Sequence, residues 1–370
     1  MGPEKGAKAH EKALEGFRKE IDRIDSRIVS LLARRQDVSA EIGKVKAALG
    51  MAVFSPEREQ TVLRGVQSLG GGNLPGKALR CIYREILSAS RSIQGPVTVA
   101  FLGPEGTFSH QAAVSLFGRS ASFHPAGSIE DVFAQVEKGR CTRGVVPIEN
   151  SCEGAVNRTM DLLYDYPLRI SSEIFLRIRH HLLSRTAEYG RVRKIYSHPM
   201  ALAQCRRWIE RHLPGVPVME TGSTSEAARK AAEEAGTAAV GGRLCAGIYG
   251  LRIAAANIED RARNVTRFLC VSQEEPAPTG NDKTSILFSL KHAPGALQAA
   301  LEVLARNRIN MTRIESRPQK SADWEYVFFV DMEGHQQEDP LARALDEMAE
   351  RCAFMKRLGS YPAGGDPWDS

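Results

Sequence analysis

The sequence predicts three differently built parts in one chain: an all-α segment, an α/β segment with a largely parallel sheet, and a final α+β unit. Three observations predict it. Residues from about Leu14 to Gln94 carry helical periodicity with almost no strand signal. From Val97 to about Gln273, short apolar runs alternate with helical patterns. Beyond the linker-like "QEEPAPTGND" (273–282), the pattern reads βαββαβ, the order of a ferredoxin-like unit.

In the first part, one helix is predicted from about Leu14 to Leu49, stopping at Gly50. Its apolar residues keep a strict 4,3 spacing: Phe17, Ile21, Ile24, Ile28, Leu31, then Val38, Ile42, Val45 and Leu49. At 1.5 Å per residue this helix is roughly 50 Å long. The two shorter helices of the same chain cannot cover such a seam. The heptad period therefore predicts a partner helix from a second copy, hence a homodimer or higher homo-oligomer. The second helix begins at Ser55-Pro56, an N-cap followed by proline at the first helical position. The third runs from near Pro75 to about Gln94.

Composition bounds the partners. The chain has 370 residues, enough for two or three domains. A net charge of +6 is mild and dispersed, which suits small anionic substrates and gives no footprint for nucleic acid. No apolar run reaches membrane-spanning length, and the N-terminus lacks the apolar core of a signal peptide. The seven cysteines are scattered, with no Cys-x-x-Cys pair, so neither zinc nor a disulfide framework is expected. The expectation is a cytoplasmic enzyme with reduced cysteines and without metal or cofactor.

The seam of the first helix is interrupted by Arg35, with Lys46 just past Val45. A buried ion pair is the bland reading of one such residue. The pattern repeats, however. Ser90 and Gln94 continue the apolar face of the third helix, and "PERE" puts Arg58 and Glu59 in the first turn of the second. Few carboxylates face these cations, so an anion is expected to enter. Over about 80 residues the segment resembles the all-helical chorismate mutase domain. That resemblance implies an intertwined dimer that rearranges chorismate to prephenate. It also implies roles for Arg18, Arg35, Lys46, Ser55, Arg58, Glu59, Ser90 and Gln94, with Arg18 reaching the partner's site. The chemistry agrees. A pericyclic rearrangement needs a held conformer and stabilised charge on the ether oxygen, and guanidinium forks match the substrate's two carboxylates. Lys46 and Gln94 would donate to the ether oxygen, and Glu59 would accept from the substrate hydroxyl. Relatives often carry Asp where this chain has Ser55.

In the α/β segment, "LGPEGTFSH" (102–110), "PIENSCEGAVN" (147–157), "YSHPMALAQC" (196–205), "GSTSEAA" (222–228) and "GGRLCAG" (241–247) each join a strand to a helix. Such helix starts favour anions at the strand ends. Neither a phosphate loop nor a dinucleotide fingerprint is present. With "NVTRF" (264–268) these stretches resemble prephenate dehydratase over roughly residues 97–273. The resemblance implies two α/β lobes of periplasmic-binding-protein type with the active site between them. The implied reaction removes carbon dioxide and hydroxide from prephenate, leaving phenylpyruvate. Thr266, Arg267 and Phe268 match the family's essential motif. Thr266 would hydrogen-bond the leaving hydroxyl, and Glu149 is a candidate acid behind it if apolar surroundings raise its pKa. Thr107, Asn150, Ser197 and Gln204 are expected substrate contacts, whereas His198 reads as a packed residue before Pro199. Met200 stands where relatives often carry Gln.

The last part contains "PGALQAALEVL" (294–304) and "RIESRP" (313–318). It resembles an ACT domain of the kind that binds phenylalanine. Gly295, Ala296 and Leu297 with Glu315, Ser316, Arg317 and Pro318 are the implied effector contacts, with effector between paired protomers. L-Phenylalanine would inhibit the dehydratase, and a cut near Pro276 is expected to remove that inhibition while leaving some turnover. The expected division is 10–95 for the mutase, 96–274 for the dehydratase, 275–283 as linker and 284–362 for the regulatory unit. Two rival readings remain at this point. One is a monofunctional dehydratase whose helices only dimerise; the other is a non-catalytic amino-acid sensor.

Overall fold

A computed structural model describes residues 3–318 and 326–365, with side chains from residue 10 onward. Three helices open the chain: α1 (Pro3–Ala48), α2 (Pro56–Ser68) and α3 (Gly76–Gln94). α1 ends two residues before Gly50, and α2 and α3 begin one residue after Ser55 and Pro75, whereas α1 starts eleven residues before the expected Leu14. Ser55 holds the N-cap position of α2, yet its hydroxyl donates to the Glu57 carboxylate and makes no cap hydrogen bond. Gly43 lets α1 and α3 touch, because a Cβ there would lie 2.7 Å from the Gln94 Cα. Every residue of α1 from His10 to Leu31 is exposed, so that stretch covers nothing in its own chain. Phe17, Leu31 and Leu49 are 66–69% exposed.

The first lobe comprises β1 (Thr98–Leu102), α4 (Phe108–Phe117), β2 (Ser122–Ala126), α5 (Ile129–Glu137), β3 (Arg143–Asn150), β4 (Gly154–Ala155), α6 (Asn157–Asp165) and β5 (Arg169–Arg177). The chain then crosses to the second lobe. This holds β6 (His181–Ser184), β7 (Lys194–Ser197), α7 (Pro199–Gln204), α8 (Arg206–His212), β8 (Val218–Glu220), α9 (Thr224–Glu233), β9 (Thr237–Gly241), α10 (Arg243–Ile248) and β10 (Arg252–Ala255). It returns as β11 (Val265–Ser272), which inserts between β3 and β5 in the first sheet, antiparallel to both. The sheet order is β2-β1-β3-β11-β5, with β4 beside β3. The second sheet runs β10-β6-β9-β7-β8. Both sheets are thus mixed rather than largely parallel, since a chain that crosses and returns must run one strand backwards.

The last unit is β12 (Asp282–Ser289), α11 (Ala296–Arg306), β13 (Met311–Pro318), β14 (Tyr326–Glu333), α12 (Leu341–Arg351) and β15 (Phe354–Pro362), in sheet order β13-β14-β12-β15. One face carries Ile286, Phe288, Val330 and Met332 against α11 and α12. The other carries Leu287, Phe329, Leu358 and Tyr361, which share a core with α5, α6 and the first lobe. The regulatory sheet is therefore packed into the dehydratase part, not appended to it. The expected linker is tied down as well. Glu275 accepts from the Ser360 N–H at 3.0 Å, and Thr279 donates to Asp282 at 2.7 Å.

Candidate active sites

The helical pocket forms where α1, α2 and α3 meet. Arg35, half-buried on α1, donates to the Ser90 hydroxyl, which itself donates to the Ile86 carbonyl at 2.8 Å. Lys46 donates to the Val53 carbonyl at 2.8 Å. Among the described residues, Gln94 keeps a buried side-chain oxygen without a hydrogen-bond partner. Glu59 is gripped by Arg91, a buried residue overlooked in the sequence, which also donates to the Phe117 carbonyl and lies 5.2 Å over the Phe54 ring. Burial pushes the Glu59 carboxyl up from its ordinary range, while Arg91 and Lys46 pull it down. Arg18 and Arg58 are exposed, and Arg18 lies on the uncovered part of α1. Arg35, Lys46, Glu59, Ser90 and Gln94 are thus gathered at one helical junction, and Arg18 is not.

The dehydratase residues divide by strand face. Thr266 on β11 stands opposite Asn150 on β3, and Arg267 stands opposite Glu149. Directly opposed residues share a face, and consecutive residues take opposite ones. Thr266 and Asn150 face the junction of the two lobes, where Asn150 Nδ2 donates to Thr266 Oγ1 and to Asn264 Oδ1, each at 2.8 Å. Asn264 Nδ2 in turn donates to Gln204 Oε1 at 2.9 Å. Gln204 and Asn264 line a cavity of about 380 Å³ between the lobes, with Glu153, Arg207, Glu259 and Arg261.

Arg267 and Glu149 point the other way, and both expectations for them need correcting. Arg267 is buried and paired with Glu173 at 2.6 Å and with Asp331 of β14, and it donates to Tyr361 at 3.0 Å. Lys283 closes the cluster on Glu173 at 2.9 Å. Burial opposes the Arg267 charge, but Tyr361, Asp331 and Glu173 outweigh it and hold the guanidinium protonated. Burial likewise opposes the Glu173 carboxylate, and Arg267 with Lys283 keeps its pKa low. Glu149 faces Arg313 of β13 at 3.2 Å, so its neighbour is a guanidinium and not apolar surface. Neither residue meets the Thr266 hydroxyl. Phe268 is a core residue beside Phe101, Phe117 and Leu176.

Two further expected contacts are spent elsewhere. Thr107 caps α4, accepting from the His110 N–H and donating to the Leu102 carbonyl at 3.0 Å. Ser197 is fully buried and donates to the Val240 carbonyl at 2.6 Å. His198 caps α7 through Nδ1.

On β13, Arg313, Glu315 and Arg317 are registered opposite Asp331, Phe329 and Val327, so all three face the dehydratase part. Arg317 pairs there with Asp161 of α6 at 3.3 Å. A cavity of about 210 Å³ lies at this contact, walled by Met160, Tyr164, Glu315, Arg317 and Phe329. Gly295 starts α11 on the opposite face, at a φ of +78° that favours glycine. One chain therefore sets Gly295–Leu297 and the inward-facing Glu315 and Arg317 on different sides of the sheet.

Comparison with known proteins covers all three parts. Residues 17–95 match the family described as chorismate mutase type II, residues 99–276 match prephenate dehydratase, and residues 284–350 match the ACT domain. A bifunctional chorismate mutase/prephenate dehydratase of Aquifex aeolicus is 47% identical over 353 residues, covering 94% of this chain and 98% of its own. The crystal structure of a prephenate dehydratase from Arthrobacter aurescens in complex with L-Phe is 35% identical. It covers 72% of this chain and 90% of that one, with a TM-score of 0.67. GqqA, described as a novel type of quorum quenching acylase, is 33% identical, with 74% and 99% coverage and a TM-score of 0.67.

Proposed function

The chain belongs to the family of bifunctional chorismate mutase/prephenate dehydratases, and from that premise we propose how its residues divide the two reactions. It rearranges chorismate to prephenate in the helical part and converts prephenate to phenylpyruvate in the α/β part. In the helical pocket, we assign Arg35 and Arg58 to the substrate carboxylates and Lys46 with Gln94 to the ether oxygen. Ser90 orients Arg35, and Arg91 orients Glu59 for the substrate hydroxyl. Ser55, beside Glu57, keeps a place at the rim.

The observation that carries the dehydratase reading is the Asn150–Thr266 hydrogen bond. Asn150 donates, so Thr266 Oγ1 is the acceptor and its own O–H is left to hydrogen-bond the departing hydroxyl. Loss of carbon dioxide and hydroxide then aromatises the ring. Gln204 supplies a further substrate contact from the second lobe. One assay tests both assignments: chorismate loss and phenylpyruvate gain followed together. Prephenate accumulation without phenylpyruvate would sink the second half.

The exposed 4,3 seam of α1 supports a homodimer in which Arg18 enters the partner's pocket. Ile28→Glu puts a charge on that seam. It is expected to shift the sedimentation mass towards monomer and to cut chorismate turnover more than prephenate turnover. An unchanged mass would reject the seam as the interface.

L-Phenylalanine is the effector we assign to the last unit, at Gly295, Ala296 and Leu297 together with Glu315, Ser316, Arg317 and Pro318. The separation of the two motifs within one chain favours a site completed by a second protomer. Gly295→Val cannot keep φ +78° without strain. The phenylalanine concentration for half-inhibition is expected to rise about tenfold, within the ordinary range of allosteric coupling. Unaltered inhibition would remove Gly295 from the site. A cytoplasmic location is supported by seven free cysteines. No described helix is long and apolar enough to cross a membrane.

A further inference from the structure

We propose that His180 and Asn264 are positioning residues for dehydration: through Gln204 they fix the Asn150 amide and thereby aim the Thr266 proton at the substrate. The inference rests on Thr266 meeting the leaving hydroxyl. It starts from the direction of each hydrogen bond. Asn150 Oδ1 accepts from the Cys152 and Glu153 backbone N–H groups at 2.9 and 3.1 Å, which fixes that amide. Both Nδ2 hydrogens are then committed, one to Thr266 and one to Asn264. Asn264, accepting on Oδ1, must donate from Nδ2, and it does so to Gln204 Oε1. The second lone pair of that oxygen meets His180 Nε2 at 2.9 Å. An amide oxygen only accepts, so Nε2 carries the hydrogen.

His180 is built to remain in that state. It is 2% exposed, and among the described residues its buried Nδ1 has no partner. Burial pushes the imidazole down from its ordinary pKa, with Gln204 and Glu259 acting the other way. A second proton on Nδ1 would be an unsatisfied buried donor, so the ring is a neutral, single donor. Its backbone N–H donates to Glu259 at 3.0 Å, its carbonyl accepts from Ile258 at 2.8 Å, and Phe108 packs edge-on at 5.4 Å. A flipped Gln204 amide would set its N–H against the Asn264 N–H and would give up the bond that Gln204 Nε2 donates to Glu153 at 3.4 Å. His180 thus locks Gln204 and Gln204 locks Asn264, which together with the Cys152 and Glu153 N–H groups holds Asn150 in place. The series crosses from the second lobe to the first, so Thr266 is aimed only when the lobes hold this relation.

Two substitutions in the full-length chain test this. His180→Phe keeps the ring and deletes the donor, whereas His180→Gln places an amide N–H near Nε2. His180→Phe is expected to lower the dehydratase kcat about tenfold or more, as misplacement of reacting groups does, with KM changed far less. His180→Gln is expected to recover most of the loss with an unaltered pH profile. Circular dichroism and the melting temperature of both variants report that the dehydratase part is folded. In a Thr266→Ala background, His180→Phe should add less than about a twofold loss, because both act through one hydroxyl. Full dehydratase activity in His180→Phe would overturn the proposal. So would a His180→Gln variant as poor as His180→Phe that also loses one limb of the pH profile, since His180 would then be an acid. Retained turnover in Thr266→Ala alone would instead overturn the Thr266 assignment on which the inference stands.

Discussion

Thr266→Ala is expected to lower prephenate turnover by about 10²-fold or more, the usual cost of removing one preorganised hydrogen-bond donor to a departing oxygen, while chorismate turnover stays at the parental rate. The expectation follows from what the hydroxyl can do. Thr266 is 8% exposed, accepts from Asn150 and, among the described residues, donates to no protein group. Alanine removes the donor and leaves an Asn150 N–H without its acceptor, so the loss should fall mainly on kcat. Thr266→Ser retains the hydroxyl and should keep a substantial part of the rate. Steady-state phenylpyruvate formation reads both, and a Thr266→Ala enzyme within threefold of the parent would remove this residue from the chemistry.

The second large effect belongs to Arg35. Arg35→Ala should cut chorismate turnover by about 10²–10³-fold, the scale seen when one preorganised electrostatic donor is removed, with prephenate turnover unchanged. Arg35 is held by Ser90 at a junction where Lys46 adds a second cation. Arg35→Lys should rescue little, because a point charge does not reproduce the bidentate fork. The dehydratase activity of the same chain is the internal control. Chorismate turnover above a third of the parental rate in Arg35→Ala would place the carboxylate clamp elsewhere.

Much of the architecture was legible because it is written in local signals. Gly50 marks the end of α1, Ser55-Pro56 and Pro75 mark the starts of α2 and α3, and the short apolar runs after Val97 are strands β1, β3, β7, β8, β9 and β11. Strand β2 was not legible: "SFHPA" is mostly exposed and contains Pro125, so neither alternation nor composition announces it. The antiparallel return of β11 is a fact of topology that no window of sequence carries.

The candidate sites show the same boundary. Asn150, Gln204 and Thr266 came together as expected, since their motifs fix strand ends and helix starts around one junction. Arg267, Glu149 and Ser197 did not, because each spends its polar atoms on partners distant in sequence, and Thr107 spends its hydroxyl on the cap of its own helix. Strand alternation alone would have warned that Thr266 and Arg267 face opposite ways, and likewise that Arg313, Glu315 and Arg317 share a face. Nothing in "RIRHHLLSR" separates His180 from its neighbours; only the fold does.

The Arg267 cluster has a consequence for anyone wishing to free this enzyme from end-product control. Excision of the last unit near Pro276 would strip Asp331, Tyr361 and Lys283 from Arg267 and Glu173, and would take Leu287, Phe329 and Leu358 out of a shared core. Breaking one buried ion pair by removing a partner costs about 3–5 kcal/mol, a large part of the stability of an ordinary domain. The damage would fall on the residue next to Thr266, one peptide bond from the reacting hydroxyl. A deregulated biocatalyst from this scaffold therefore calls for a point change at the effector motifs, with the whole chain retained.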